Sequence, residues 1–468
     1  MHPSPGGSIP GPILREYQDR GIDDILAAFE AGHRSVLYVL PTAGGKTVLF
    51  AEIARRAAAS GTRVGILVHR DQLLIQAAEK VDACGLSYSL IAPGHNFYGD
   101  LVCIASKDTL VRRLSRHDFD LIIIDEAHRA TAPTYRKIMD AYPEARILGV
   151  TATPQRTGGQ GLDVVFDALV LGPSIRSLID QGFLAEPVTY GALKLDLSGL
   201  KTVAGDYDQH ALADLMDKPR ITGAAISAYE KLCPGESAMA FGVGIPHCED
   251  IAADFRAAGY RSTHVSGEMG RDEVRRRIAS LKSNEIQVLV SCDIASEGID
   301  IPSVRAGILL RPTSSLIVYL QQAGRILRPK PNGGKALILD HAGSFARFGL
   351  VDDEREWSLE GRKKRARAGD SEAAVSVRQC PKCYFCHRPA AVCPECGWVY
   401  EIAAREPDVE SGELAVIDAA ALRRVRQKEE REARTYRELC DLAKRRHYSL
   451  QWPLRKWIER GNDPRLAK

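Results

Sequence analysis

The sequence predicts an α/β protein: two tandem units built on parallel sheets, followed by a small cysteine-rich module and a helical tail. Three observations predict it. Short, nearly continuous apolar runs alternate with helix-like stretches across the first 350 residues, as expected for parallel strands covered on both faces. The alternation pauses around residues 190–235 and then restarts, dividing the pattern into two units. Five of the eleven cysteines fall between Cys380 and Cys396, far too dense for chance core positions.

In order, residues 1–12 are rich in Pro and Gly and are expected to form a flexible arm. Residues 13–190 should form the first unit, with strands at SVLYVL (35–40), RVGILV (63–68), LVCIA (101–105), LIIID (121–125) and ARILGV (145–150). The second unit, 191–355, carries SAMAFGV (237–243), RSTHV (261–265), IQVLVS (286–291), AGILL (306–310) and KALILD (335–340). A basic linker over 356–378, the cysteine module over 379–400 and a basic helical region over 401–468 complete the chain.

With 468 residues, 45% of them hydrophobic, the chain has enough apolar mass for several cores. The net charge is only +3, but residues 361–468 hold 24 basic against 16 acidic side chains, so the basic character lies in the tail. No apolar run is long enough to cross a bilayer, and the opening residues lack a leader's basic and apolar regions. The six dispersed cysteines read as reduced thiols, which points to the cytosol or nucleoid.

The first strand runs into PTAGGKT (41–47), a glycine-bearing turn before Lys-Thr at a helix start. In such a loop, backbone N–H groups around Thr42, Gly44 and Gly45 converge on phosphates, Lys46 reaches the β- and γ-phosphates, and the Thr47 hydroxyl ligates Mg²⁺. Some eighty residues on, LIIID ends in Asp125-Glu126-Ala127-His128. An Asp at a parallel strand's C-terminal end faces the crevice where such sheets hold ligands. There Asp125 can hold Mg²⁺ while Glu126 deprotonates the attacking water. LREYQ (14–18) brings Arg15 and Gln18, whose amide can pair with the adenine edge. GVTATP (149–154) offers Thr151 and Thr153 beside the Asp125 strand, positioned with His128 to couple the site to the rest of the unit.

PTAGGKT, DEAH, TATP, SEGIDIP and QQAGRILR occur in the order and spacing of superfamily two helicases, and the chain most resembles the RadD-type branch over roughly residues 12–400. The resemblance implies two RecA-like units, ATP hydrolysis with Mg²⁺, action on DNA in repair or recombination in a bacterial or phage-infected cell, and contact with single-strand-binding protein. One departure is Ala43, where the family's phosphate loop usually has Gly. In SCDIASEGIDIP (291–302), the resemblance places Gly298 and Asp300 in the cleft, Asp300 near the ribose, with Ser291 toward the nucleic-acid backbone.

YLQQAGRILRP (319–329) puts Gln321, Arg325 and Arg328 on one side of an expected helix. Opposite a triphosphate, such arginines stabilise transition-state charge. Candidate nucleic-acid contacts in the first unit are Arg70, Gln76, Ser106 and Thr109; contacts of this kind go mainly to the backbone, which predicts weak sequence preference.

CPKC (380–383) and CPECG (393–397), nine residues apart, have the form of a zinc ribbon, with Cys380, Cys383, Cys393 and Cys396 as the symmetric ligand choice. Cys386 and His387 leave an alternative open. In the tail, Tyr448, Trp452 and Trp457 lie among basic residues, a mix that suits base stacking or, equally, a small apolar core. The expected activity is an ATP-driven DNA helicase or translocase. An RNA-directed motor and a nucleic-acid clamp with little turnover are the rivals.

Overall fold

The computed structural model describes residues 13–69, 71–83, 85–95, 99–156, 158–191, 197, 199–203, 206–216, 219–292, 304–330, 333–361, 377–400, 428–446, 452–461 and 463. They fall into two compact units, one within residues 1–401 and one within 402–468.

The first lobe of the larger unit holds strands β1 (Ser35–Val39), β2 (Val64–Val68), β3 (Ser89–Ile91), β4 (Val102–Ser106), β5 (Leu121–Asp125), β6 (Arg146–Thr151) and β7 (Ala168–Leu171). They pair in the order β3-β4-β2-β5-β6-β1-β7, every neighbour parallel. β1, β2 and β4 are buried at every position, which is why their sequences are apolar runs rather than alternating ones. Helix α1 (Glu16–Glu30) precedes β1, and α2 (Lys46–Ala59), α3 (Asp71–Ala83), α4 (Lys107–Leu110) and α5 (Pro133–Ala141) run between the strands; α6 (Ile175–Asp180) leads out of the lobe. Because β6 lies between β1 and β5, with Val39 opposite Thr151 and Val150 opposite Asp125, three chain segments leave the sheet side by side at its C-terminal edge. That edge is where the site forms.

The second lobe contains β8 (Pro187–Gly191), a small hairpin of β9 (Thr202–Val203) and β10 (Asp206–Tyr207), then β11 (Ala238–Phe241), β12 (Ser262–Val265), β13 (Val288–Ser291), β14 (Ala306–Leu309) and β15 (Ala336–Asp340). Its helices are α7 (Gln209–Met216), α8 (Pro219–Leu232), α9 (Ile245–Ala257), α10 (Arg271–Lys282), α11 (Leu316–Ile326) and α12 (Ser344–Phe348). The sheet runs β12-β13-β11-β14-β15-β8 in parallel and then continues, antiparallel, into β17 (Phe385–His387) and β16 (Arg378–Gln379) of the cysteine module.

Three expectations need correction. The boundary between 190 and 191 cuts through β8, which pairs with β15 and so belongs to the second lobe; the cysteine module is joined to that lobe's sheet, Phe385 pairing with Tyr190 and Cys386 with Thr189. The linker expected from residue 356 begins later, because Leu359 accepts backbone hydrogen bonds from Leu162 (2.6 Å) and Asp163 (3.0 Å) in the first lobe. Finally, α11 stops at Ile326, so Arg328 is not on the helix that carries Gln321 and Arg325. Pro329 explains the stop, since a proline pushes the residue before it out of the helical region.

In the smaller unit, helices α13 (Tyr436–Arg445) and α14 (Trp452–Glu459) enclose a core of Ala433, Leu439 and Leu442, against which Trp452 and Trp457 pack. Thr435 caps α13, accepting from Glu438 N at 3.2 Å while the Glu438 carboxylate accepts from Thr435 N at 2.8 Å. The two tryptophans are therefore core anchors; Tyr448 lies outside the described residues. No described helix is long and apolar enough to cross a membrane.

Candidate active site

The phosphate loop follows β1 directly. Leu40 N donates to Thr151 O (2.9 Å), which fixes the loop's entry against the neighbouring strand end. Gly44 N donates to Pro41 O (3.0 Å), and Gly45, at φ 85°, caps α2 so that Lys46 opens the helix. A left-handed residue ahead of a helix suits Gly. Ala43 also sits at φ 66°, where the missing glycine carries a steric cost of about 1–2 kcal/mol. Lys46 Nζ lies 3.5 Å from Leu40 O, at the limit of a hydrogen bond, so its ammonium remains available to an anion.

The N-terminal segment folds over this loop. Tyr17 OH donates to Gly44 O (2.7 Å), and Gln18 Nε2 approaches Gly45 O (3.3 Å) and Gly44 O (3.5 Å). Gln18 Oε1 accepts from Arg15 N (3.0 Å), and the Arg15 guanidinium lies 4.6 Å over the Phe183 ring. The expected pair Arg15 and Gln18 is thus brought to the loop, together with two aromatics that the sequence did not single out, Tyr17 and Phe183.

Asp125 ends β5, and Glu126 turns sharply away at φ 50° with its N–H donating to Asp125 Oδ1 (2.9 Å). His128 Nδ1 lies 3.4 Å from Glu126 Oε2 and 3.5 Å from Thr151 Oγ1. Thr151 Oγ1 in turn donates to Thr153 O (3.0 Å) and accepts from Thr153 N (3.2 Å). The residues expected to couple the site therefore form one chain, Glu126–His128–Thr151–Thr153.

Burial, reinforced by the charge of Glu126, raises the Asp125 carboxyl above its ordinary range, with Lys46 opposing. Burial also works to raise Glu126, but Lys46, His128 and Arg325 hold it below the ordinary range. Two adjacent carboxyls ionise together only at a cost, which a cation beside Asp125 would relieve; Thr47 follows Lys46 in the first turn of α2.

The second lobe reaches this pocket through α11. A Cβ on Gly324 would lie 2.6 Å from Thr42 Cβ, so the helix backbone rests on the phosphate loop. Gln321, Gln322 and Arg325 are buried at this junction, and the Arg325 charge acts on Glu126. Arg328 is half-buried two residues beyond the helix end.

The expected nucleic-acid contacts fare differently. Ser106, Thr109 and Ser291 are 2%, 8% and 2% exposed, buried at or just beyond strand ends; their side chains are not presented to solvent, contrary to the role expected of them. Arg70, Gly298 and Asp300 lie outside the described residues, as does the side chain of Gln76.

In the ribbon, the Sγ atoms of Cys380, Cys383, Cys393 and Cys396 all lie within 4.8 Å of one another. Cys380 Sγ is 3.6 Å from Cys396 Sγ, and Cys383 Sγ is 3.8 Å from Cys393 Sγ. Tetrahedral thiolates with Zn–S bonds of about 2.3 Å stand ~3.8 Å apart, so the four fit a Zn²⁺ ion. The two knuckles repeat one pattern: Cys380 N donates to Phe385 O and Tyr384 N to Cys380 O, while Cys393 N donates to Trp398 O and Gly397 N to Cys393 O. Cys386 is buried on β17, and both ring nitrogens of His387 are engaged, by Arg388 O (2.6 Å) and Tyr400 OH (2.7 Å). Neither belongs to the cluster.

Comparison with known proteins agrees with this geometry. Residues 12–156 match the family described as Type III restriction enzyme, res subunit, and residues 225–330 match the Helicase conserved C-terminal domain. A 51.5 kDa protein of a Lactococcus phage is 30% identical over 345 residues, covering 73% of each chain. IRC3 of Saccharomyces cerevisiae, named as an ATP-dependent helicase, is also 30% identical over 71% of this chain, which spans only 52% of that relative's length. Among solved structures, a fragment of an HsdR subunit of a type I restriction enzyme from Vibrio vulnificus superimposes with a TM-score of 0.58 at 21% identity, covering 73% of this chain and 67% of that one. It shares the fold. With two parallel-sheet lobes, a phosphate loop in one and a buried arginine helix from the other, the chain belongs to the superfamily two helicases, the nucleic-acid-dependent ATPases.

Proposed function

We propose that this protein is an ATP-driven DNA translocase or helicase in which hydrolysis at the interlobe cleft drives movement along DNA. The observation that carries the reading is the junction of α11 with the phosphate loop: Gly324 lies against Thr42, and Arg325 acts on Glu126. Lys46 and the N–H groups of the loop bind the β- and γ-phosphates, while Thr47 and Asp125 hold Mg²⁺, which neutralises phosphate charge when bound. Glu126 takes a proton from water as the water oxygen attacks the γ-phosphorus and the bond to the departing ADP oxygen breaks. Arg325 stabilises the charge that develops. His128, Thr151 and Thr153 link the state of Glu126 to the β6 strand end.

The order of motifs favours a RadD-type role in DNA repair or recombination. A solved type ISP restriction-modification enzyme bound to DNA shares the fold at 17% identity and a TM-score of 0.53. The partnership with single-strand-binding protein rests on the resemblance alone, and Zn²⁺ in the ribbon on the four-thiol geometry. The test is ATP hydrolysis measured with single-stranded, duplex and forked DNA and with RNA. The proposal expects DNA to stimulate turnover and Lys46→Ala to abolish it. Stimulation by RNA alone would replace DNA as the substrate, and tight DNA binding without turnover would leave only a clamp.

A further inference from the structure

Beyond α12 the chain doubles back across the first lobe. The Arg355 guanidinium donates to the carbonyls of Phe348 (3.3 Å), Leu350 (2.8 Å), Val351 (3.0 Å) and Asp353 (2.8 Å), knotting the start of this segment to the second lobe. Asp352 then pairs with Arg176 (3.1 Å), and Glu354 accepts from Ser174 Oγ (2.9 Å), both at the start of α6. Further on, Leu359 O accepts from Leu162 N and Asp163 N, and Gly361 pairs with Gln160 in an antiparallel bridge.

Two glycines, 200 positions apart in sequence, make this seam possible. A Cβ on Gly161 would lie 2.1 Å from Leu359 O, and one on Gly361, which sits at φ 80°, would lie 2.4 Å from Gly161 N. Nothing larger than hydrogen fits at either position. Leu359 packs on the first lobe's core beside Leu162 and Phe166, and Trp357 helps wall a cavity of about 200 Å³ behind the phosphate loop, shared with Pro41, Thr42 and Leu320.

Between β7 and β8 the lobes have one covalent connection, which by itself leaves the second lobe free to swivel. A second attachment restricts the motion mainly to rotation about the line joining the two. We infer that residues 352–361 are a positioning strap that guides α11, with Arg325, onto the phosphate loop along one path each time the cleft closes, with Gly161, Leu359 and Gly361 as positioning residues. The inference rests on the ATPase reading of the cleft, because what the strap positions is the Arg325 helix.

The test uses the full, metal-loaded chain. Gly161→Ala and Gly361→Ala should each raise hydrogen exchange across 352–361 and lower the DNA-stimulated kcat on the order of 10-fold, with the KM for ATP changed less than about twofold. Arg176→Glu adds no steric load, should act in the same direction more weakly, and should be rescued by the double variant R176E/D352R. Raised exchange with unchanged kcat would show a strap that packs without positioning. Unchanged exchange and unchanged kcat in the glycine variants would show that the seam is not fastened in solution. Either overturns the inference. If the parent chain turns over no ATP, the reaction and the positioning role fall together, while exchange still reports on the seam itself.

Discussion

At the nucleotide site the two lobes contribute in contrasting ways. The first lobe supplies bent backbone: Ala43 at φ 66° and Glu126 at φ 50° are both left-handed, both non-glycine and both within the pocket. The second supplies a regular helix, α11, capped by Ser315 and buried along Gln321, Gln322 and Arg325; the other positive-φ non-glycine residues described, Asn284 and Tyr384, lie away from it. Strain collects where phosphates and a cation must be gripped by fixed atoms. A helix that must arrive, supply charge and withdraw needs none, since its side chains move with it as one body. The first lobe is a preformed cradle, and the second completes it.

If that division holds, removing the cradle's base should cost most. Glu126→Gln keeps the side chain's shape and its reach toward His128 but cannot accept a proton; turnover should fall about 10⁴-fold while ATP still binds. Unchanged hydrolysis would remove Glu126 as the base. The second lobe's share is read by Arg325→Ala, expected to lower kcat on the order of 10³-fold with little change in KM, since its charge matters once the transition state develops. Arg328→Ala is expected to cost less than Arg325→Ala, because Arg328 lies beyond the end of α11 and is not carried by the rigid helix. Equal losses from the two arginines would mean that the post-helical segment swings into the pocket.

Which of these features could be read from sequence follows from what produces them. Most of the ten expected strands were legible because they are buried on both faces and carry nearly continuous apolar runs, as in SVLYV and LIIID. β8 was not: PVTYG is short, opens on Pro and looks like a loop until β15 and β17 flank it. Lys46, Asp125, Glu126 and the four thiols were legible because their chemistry demands fixed residue types at fixed spacing. Phe183 and Tyr17 were not, since an aromatic against a loop carbonyl or a guanidinium has no spacing signature. Nor was the strap, whose seam is backbone against backbone and whose only trace in the sequence is two ordinary glycines. Arg328 could have been placed correctly by giving more weight to Pro329 than to the three-residue spacing.

The ribbon tests the second lobe's integrity separately from the cradle. Its β17 completes the sheet edge at β8, and Gln379 Nε2 donates to Gly191 O (2.8 Å). Chelation should release about one Zn²⁺ per chain, raise hydrogen exchange at Thr189–Gly191 and lower the unfolding temperature by several degrees, while ATP affinity at the first lobe stays within about twofold. Metal-free protein with unaltered melting would show that the thiols hold the knuckles unaided.

The smallest effect concerns strain in the cradle itself. Ala43 occupies a left-handed conformation that costs about 1–2 kcal/mol for a residue with a Cβ and nothing for glycine. Ala43→Gly removes that cost but gives the unfolded chain more freedom, a penalty of roughly 0.5–1 kcal/mol. The difference leaves a net gain of about 0.5–1 kcal/mol, read as a small rise in the unfolding temperature of the nucleotide-free chain. Because the strain is present before ATP arrives, relief should leave kcat unchanged within about twofold. A lower melting temperature would mean that Ala43's methyl makes packing contacts worth more than its backbone costs. A large change in kcat would mean that the loop changes conformation during turnover, so that the cradle, like α11, is a moving part.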